Sequence, residues 1–151
     1  KPFPIERLLW EKLCDAIDKK RHVDGVFRVS GKHQSVVALY CKCMIESHNN
    51  YKWKSSDFED VPIHVLAGVL KLYCRESPQP LISTAVRRNL INVARIIQQT
   101  RNDDPDNLPK IDDAIKRNTE GALSVLTDAA HRFIHRLFLL LVRISEKSDE
   151  N

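Results

Sequence analysis

Apolar side chains recur along this chain at intervals of three and four residues, the spacing that puts them on one face of an α-helix. Polar stretches containing proline or asparagine separate these segments. The pattern predicts helices over residues 4–20, 33–47, 61–76, 84–100, 108–126 and 128–146. No segment alternates apolar and polar residues as a half-buried strand does. The chain is therefore expected to fold as an all-α helical bundle.

Some helix boundaries carry signals of their own. Asp60 is placed to cap the third helix, with Pro62 in its first turn. A break is expected in the fifth helix near 118–121, and Thr127 or Asp128 is placed to cap the last helix. This last helix is the most apolar and is expected to lie at the centre of the core through Phe133, Ile134, Leu137, Phe138, Leu141 and Ile144.

Composition narrows the class of protein. A chain of 151 residues that is 42% hydrophobic is long enough for one domain with a real core. The formal net charge of +4 is too small to predict nucleic-acid binding, although it favours an acidic or phosphate-bearing partner. The longest apolar stretch, residues 133–144, is interrupted by charges and is shorter than the ~20 residues of a membrane span.

Cysteine usage and the missing catalytic motifs exclude further classes. Four scattered cysteines without a Cys-x-x-Cys pair indicate reduced thiols and a cytoplasmic protein. The sequence has no phosphate-binding P-loop, no Gly-x-Ser-x-Gly and no His-Glu-x-x-His. Asp128, His131 and His135 share a helix face, but no further ligand completes a metal site. Neither a metal nor a cofactor is expected.

One loop carries the strongest candidate chemistry. Gly25 and Gly31 bracket a short apolar run with Arg28 in its middle. Glycine at each end suggests a tight loop, which Val26, Phe27 and Val29 can anchor on the core. Such a loop suits delivery of a cation to a phosphate or carboxylate of a partner. The alternative is an ordinary loop whose arginine makes a surface salt bridge.

A second candidate surface lies on the third helix. His64, Gly68, Lys71 and Arg75 share one face, and Gly68 would let a neighbouring backbone approach beside the two cations. A solvated polar face is the alternative. The basic run 19–21 likewise has two interpretations, a complement to the dipole of the first helix or a basic rim beside the Arg28 loop.

Three runs together resemble the RhoGAP family, the GTPase-activating domains for Rho-type small GTPases. Residues 25–31 are similar to its arginine-finger loop. Residues 70–82 resemble its second signature, approximately Leu-Lys-x-x-x-Arg-Glu-Leu-Pro-Glu-Pro-Leu, although Ser77 and Gln79 depart from that pattern. The last helix is similar to the one that precedes an Asn-Lys-Met segment in the family. The resemblance implies the family's all-α bundle over a single domain, residues 1–151.

The resemblance also implies a function. The chain would be an enzyme activator rather than an enzyme, and would stimulate GTP hydrolysis by a Rho-family GTPase carrying its own magnesium ion and nucleotide. Arg28 would be the catalytic finger. Lys71 and Arg75 would hold the loop and contact the switch regions of the GTPase. The residues expected to touch the partner are Lys71, Arg75, Gly25, Phe27 and Ser30. Recruitment to membranes would come from flanking domains or from the GTPase.

The resemblance leaves several matters open. The family continues past this chain with further helices, so the domain is expected to be incomplete at its C-terminal end. The apolar face of helices 84–100 and 128–146 would then be exposed and would favour self-association. A non-catalytic module that binds a GTPase or another protein is the alternative function. The sequence does not indicate which GTPase is served.

Overall fold

A computed structural model of the chain describes residues 7–78, 80–103, 106 and 108–148. Their regular structure is helical throughout, as the spacing of apolar residues predicts. One 3₁₀ turn, Ser55–Phe58, lies in the long connection before α3. The helices are α1 (Arg7–Lys19), α2 (His33–His48), α3 (Ile63–Glu76), α4 (Thr84–Asp103), α5 (Leu108–Leu123) and α6 (Asp128–Ser148).

The core forms around α1. This helix lies against α3, α6 and the 3₁₀ turn, while α2 packs on α3 and α4 packs on α5. The indole ring of Trp10 meets the ring of Phe133 edge to face, with centroids 4.8 Å apart. The side chains with less than 2% exposure include Leu13, Ile17, Phe58, Leu66, Leu70, Phe133 and Leu140.

Two predicted helix boundaries are wrong. Asp60 does not cap α3, because Pro62 stands at the N-cap position and no side chain bonds to the free amides there. The break predicted near residues 118–121 is absent, since α5 continues to Leu123. Gly121 lies on an open face of that helix, where an added side-chain carbon would meet nothing within 4 Å. Thr127 does cap α6, through its hydroxyl oxygen and the amide of Ala130 at 3.3 Å. The predicted start of the first helix at residue 4 lies outside the described residues.

The prediction for α6 is only partly right. Phe133 and Ile134 are buried, but Phe138 is 56% exposed and Leu141 38% exposed. Phe138 lies about 140° around the helix from Phe133, so it points away from α1. Leu140, one heptad after Phe133, is fully buried instead. The predicted exposed apolar face is therefore present on α6.

That exposed face forms one wall of an apolar groove of about 510 Å³ between α4, α5 and α6. Its lining includes Leu90 from α4, Leu123 from α5, and Phe138 and Val142 from α6. Within the described residues, no helix combines the length and the apolar character that crossing a bilayer requires.

Candidate functional site

The loop between α1 and α2 is a tight turn built on Gly25. This glycine has a φ of 66°, in the left-handed region where a side chain is strained. Its carbonyl oxygen accepts hydrogen bonds from the amides of Arg28 at 3.0 Å and Val29 at 2.8 Å. Val26 is 1% exposed and fixes the loop to the core. Phe27 packs against the core, whereas Val29, a predicted anchor, is 46% exposed.

Arg28 extends from this turn into solvent. Its side chain is exposed and belongs to none of the ion pairs among the described residues. The guanidinium passes over Gly25, with Nη2 3.6 Å from where a first side-chain carbon of that residue would stand. The alternative of a surface salt bridge therefore does not hold in the described structure, and the charge of Arg28 is available to a partner.

Lys71 connects the loop to α3. Its Nζ donates a hydrogen bond to the carbonyl oxygen of Phe27 at 3.1 Å, one residue before Arg28. Arg75 does not make a similar contact in the described structure. Its Nε lies 3.2 Å from Oε1 of Glu76, and its side chain is 74% exposed. Lys71 and Arg75, the two cations predicted to share one face of the third helix, thus differ. Lys71 supports the loop, whereas Arg75 faces solvent.

The close backbone approach that the sequence predicts at Gly68 occurs at Gly31, which lies at the far end of the loop. A side-chain carbon on Gly31 would stand 2.7 Å from the carbonyl oxygen of His64 and 2.8 Å from the amide nitrogen of Val65. The loop therefore lies directly on the first turn of α3. The backbone approach predicted at Gly68 is wrong, since that glycine accommodates the side chain of Val36 from α2.

Lys20 holds the near end of the loop. Its ammonium donates to three carbonyl oxygens, those of Phe58 at 3.3 Å, Glu59 at 2.6 Å and Val61 at 2.7 Å. This residue directly follows α1 and precedes the loop, so the contacts tie the loop to the segment that leads into α3. Lys20, the middle residue of the basic run 19–21, is thus not part of a free basic rim. Sequence reasoning missed this role, because the bonded carbonyls are about 40 positions away and belong to no motif.

A groove of about 520 Å³ opens beside Arg28. The loop residues 23–28 form one side, and Leu141, Ile144 and Ser145 of α6 form the other. Ser30 lies at the exposed end of the loop. The site therefore presents one exposed guanidinium above a shallow cleft with an apolar wall.

The arrangement holds few groups suited to chemistry of its own. Among the described residues, no three His, Cys, Asp or Glu side chains gather as a metal-binding group. Burial raises the pKa of the Cys14 and Cys43 thiols to about 12, which keeps both protonated near neutral pH. Cys41 is exposed on the other side of α2 from Cys43.

Comparison with known proteins agrees with this architecture. The chain is 28% identical over 130 residues to Rho GTPase-activating protein gacY of Dictyostelium discoideum, an alignment that covers 85% of this chain and 15% of that protein. It is 26% identical over 129 residues to human Rho GTPase-activating protein 27, covering 85% of this chain and 13% of that one. The crystal structure of human Rho GTPase-activating protein 15 matches 94% of the chain and 60% of its own length, with a TM-score of 0.70 and 22% identity, which shows a shared fold.

The chain thus spans about one seventh of the length of these two curated relatives. The family model described as "RhoGAP domain" matches residues 8–151, nearly the whole chain. The chain belongs to the RhoGAP domain family.

Proposed function

We propose that this chain is a GTPase-activating domain for a Rho-type small GTPase and that Arg28 is its arginine finger. The observation that carries the proposal is that the guanidinium of Arg28 is exposed and has no ion-pair partner among the described residues, while the loop that bears it is held in place. The backbone of that loop is fixed by the Gly25 turn, by Lys71 and by the contact of Gly31 with α3. A preorganised cation of this kind needs little rearrangement when it enters the site of a partner.

The chemistry of GTP hydrolysis suits such a group. Negative charge grows on the oxygens around the β–γ bridge as the bond to the γ-phosphate breaks, so a guanidinium there stabilises the transition state more than the ground state. An arginine supplied by a second protein accelerates hydrolysis by about 10³–10⁵. The chain would complete the active site of the GTPase, which supplies the nucleotide, the magnesium ion and the attacking water.

The remaining site residues have supporting parts in this proposal. Lys71 holds the backbone next to the finger, and Gly25 permits the turn. Phe27 and Ser30 would touch the GTPase beside the nucleotide. Arg75, which is exposed and pairs only with its neighbour Glu76 among the described residues, would contact a switch region of the GTPase.

The class of partner is inferred from the family and from the names of the relatives, which are Rho GTPase-activating proteins. The chain would then act wherever that GTPase is located. The prediction that residues 1–151 form one domain remains a prediction. So does self-association through the exposed face of α6, which sedimentation velocity over a range of protein concentrations tests.

Single-turnover GTP hydrolysis by a panel of Rho-family GTPases tests the proposal. The intact chain should accelerate hydrolysis by at least one panel member, and Arg28→Ala should remove about 10³-fold or more of that acceleration. Arg28→Lys should restore little, because lysine lacks the planar fork of donors. Arg88→Ala is the matched control, since it removes an exposed arginine from α4, a helix that does not line the groove beside Arg28.

Binding of the same GTPases separates the two functions. Acceleration that is unchanged in Arg28→Ala would contradict the finger. Binding of a GTPase without any acceleration by the intact chain would favour the alternative, a non-catalytic binding module.

A further inference from the structure

A partly buried ionic cluster joins α1 to α6 near the start of the Arg28 loop. Asp18, in the last turn of α1, is 8% exposed. Its carboxylate forms an ion pair with Arg143 and lies 3.5 Å from Nη2 of Arg136. That same nitrogen is 2.7 Å from Oδ1 of Asp15. Nη1 of Arg21 lies 3.4 Å from Oδ1 of Asp18 and donates to the Asp18 carbonyl oxygen at 2.9 Å.

The cluster lies where the loop begins. Arg21 lies two residues after the end of α1 and lines the same groove as Asp24 and Arg28. Arg143 belongs to the stretch of α6 whose Leu141 and Ile144 form the opposite wall of that groove. Asp18 therefore pairs with Arg21, which lines the groove, and with Arg143, which is a sequence neighbour of the residues in the opposite wall.

The balance of charges in the cluster depends on the carboxylate of Asp18. Three guanidiniums meet two carboxylates, so removing the charge of Asp18 leaves Arg21 and Arg143 without their shared counter-ion. The side chains of Arg21 and Arg143 are 34% and 42% exposed, so water screens part of their mutual repulsion, and the unscreened part is unfavourable. The two arginines would separate and carry the base of the loop away from α6.

We propose that Asp18 is a positioning residue for the Arg28 loop, because its carboxylate fixes the loop against α6 by holding Arg21 and Arg143 together. This inference rests on the proposed function of Arg28, and it adds a residue that does not touch the GTPase. A misplacement of about 1 Å can lower a catalysed rate by about 10²-fold. Loss of Asp18 should therefore reduce the rate within the complex and leave the affinity for the GTPase nearly unchanged.

Asp15 provides a matched control. It lies one turn earlier on the same helix and bonds to Arg136 alone among the arginines of the cluster. Asp18→Asn should lower the maximal stimulated rate about 10- to 100-fold, with less than a threefold change in the concentration for half-maximal stimulation. Asp15→Asn should change the maximal rate by less than threefold. Asp18→Glu, which keeps the charge, should recover most of the loss.

A second readout does not depend on activity. Hydrogen exchange at the amides of Arg28 and Val29 reports the Gly25 turn directly, since both donate to the Gly25 carbonyl oxygen. Exchange there should quicken about tenfold or more in Asp18→Asn but not in Asp15→Asn. Arg143→Gln should have the same effect while leaving Asp18 paired with two arginines, so it serves if Asp18→Asn does not fold.

The outcomes are distinct. Equal effects of Asp18→Asn and Asp15→Asn on rate and exchange would overturn the inference and leave only a structural role for the cluster. Unchanged exchange at Arg28 and Val29 in both Asp18→Asn and Arg143→Gln would also overturn it. If the intact chain stimulated no GTPase, the proposed function would fail, whereas the exchange experiment would still decide whether Asp18 fixes the loop.

Discussion

Replacing Gly31 by alanine should destabilise the protein and displace the Arg28 loop in the same step. The added carbon would stand 2.7 Å from the His64 carbonyl oxygen and 2.8 Å from the Val65 amide nitrogen. Both atoms belong to the backbone of α3, where no flexible side chain can turn away. Ordinary contact begins near 3.4 Å, so the loop or the helix end must shift by about 0.7 Å.

The expected cost follows from that overlap. Overpacking of this kind typically lowers the free energy of unfolding by about 1–3 kcal/mol. Gly121→Ala is the matched control, because nothing lies within 4 Å of its new carbon and the residue is inside α5. Alanine is the better helix former, so that variant should gain about 0.5–1 kcal/mol. The same substitution should thus have opposite signs at the two sites.

Urea unfolding followed by tryptophan fluorescence measures both variants. Trp10 and Trp53 are 3% and 5% exposed, so unfolding changes the surroundings of both indoles. The midpoint should fall for Gly31→Ala and rise for Gly121→Ala, with similar slopes. A Gly31→Ala protein as stable as the parent would refute the close contact between the loop and α3. The maximal rate of GTPase stimulation should fall with Gly31→Ala as well.

Three further predictions concern the core and the cysteines. Gly68→Ala should lower the free energy of unfolding by about 1–3 kcal/mol, because its new carbon would lie 2.6 Å from a methyl group of Val36. Val36→Ala should therefore cost less stability in the Gly68→Ala background than in the parent protein. A double-mutant cycle measured by urea unfolding checks this. In thiol titration of the folded chain near neutral pH, Cys41 should react first and the buried Cys14 and Cys43 only on unfolding. Burial raises the pKa of these two thiols from 9.0 to about 12. Their contribution to the free energy of unfolding should therefore be fully present below pH 9 and decline as the pH rises towards 12. Urea midpoints that stay constant over this pH range would contradict the prediction.

The sequence predicts those features of the fold that depend on residues close to one another in the chain. Helical spacing finds the six helices, and the glycine pair with a central arginine identifies the loop. Asp60 misleads because residues able to cap a helix also occur shortly before its start, and here Pro62, two positions later, takes the cap position. Phe138 misleads because an apolar pattern cannot indicate which of two apolar faces meets the core.

The contacts of Lys20 and of Asp18, unlike that of Lys71, were beyond sequence reasoning for a different reason. Lys20 bonds to main-chain carbonyl oxygens, which every residue carries and which leave no trace in a sequence. Asp18 and Arg143 are 125 positions apart. The spacing of Arg136 and Arg143 by seven residues on α6, opposite two aspartates three apart on α1, is a charge pattern that could have suggested the pairing. Only the packing of α1 against α6 shows that these ion pairs form.

The central claim is that Arg28 acts on the transition state of GTP hydrolysis. Its most direct test compares the affinity of the chain for one GTPase in two states, loaded with a non-hydrolysable GTP analogue or with GDP and aluminium fluoride, which mimics the transferring phosphoryl group. The account predicts much tighter binding of the second state, and loss of that difference in Arg28→Ala while binding of the first state persists. Equal affinity of the intact chain for the two states, or a preference that survives in Arg28→Ala, would contradict it.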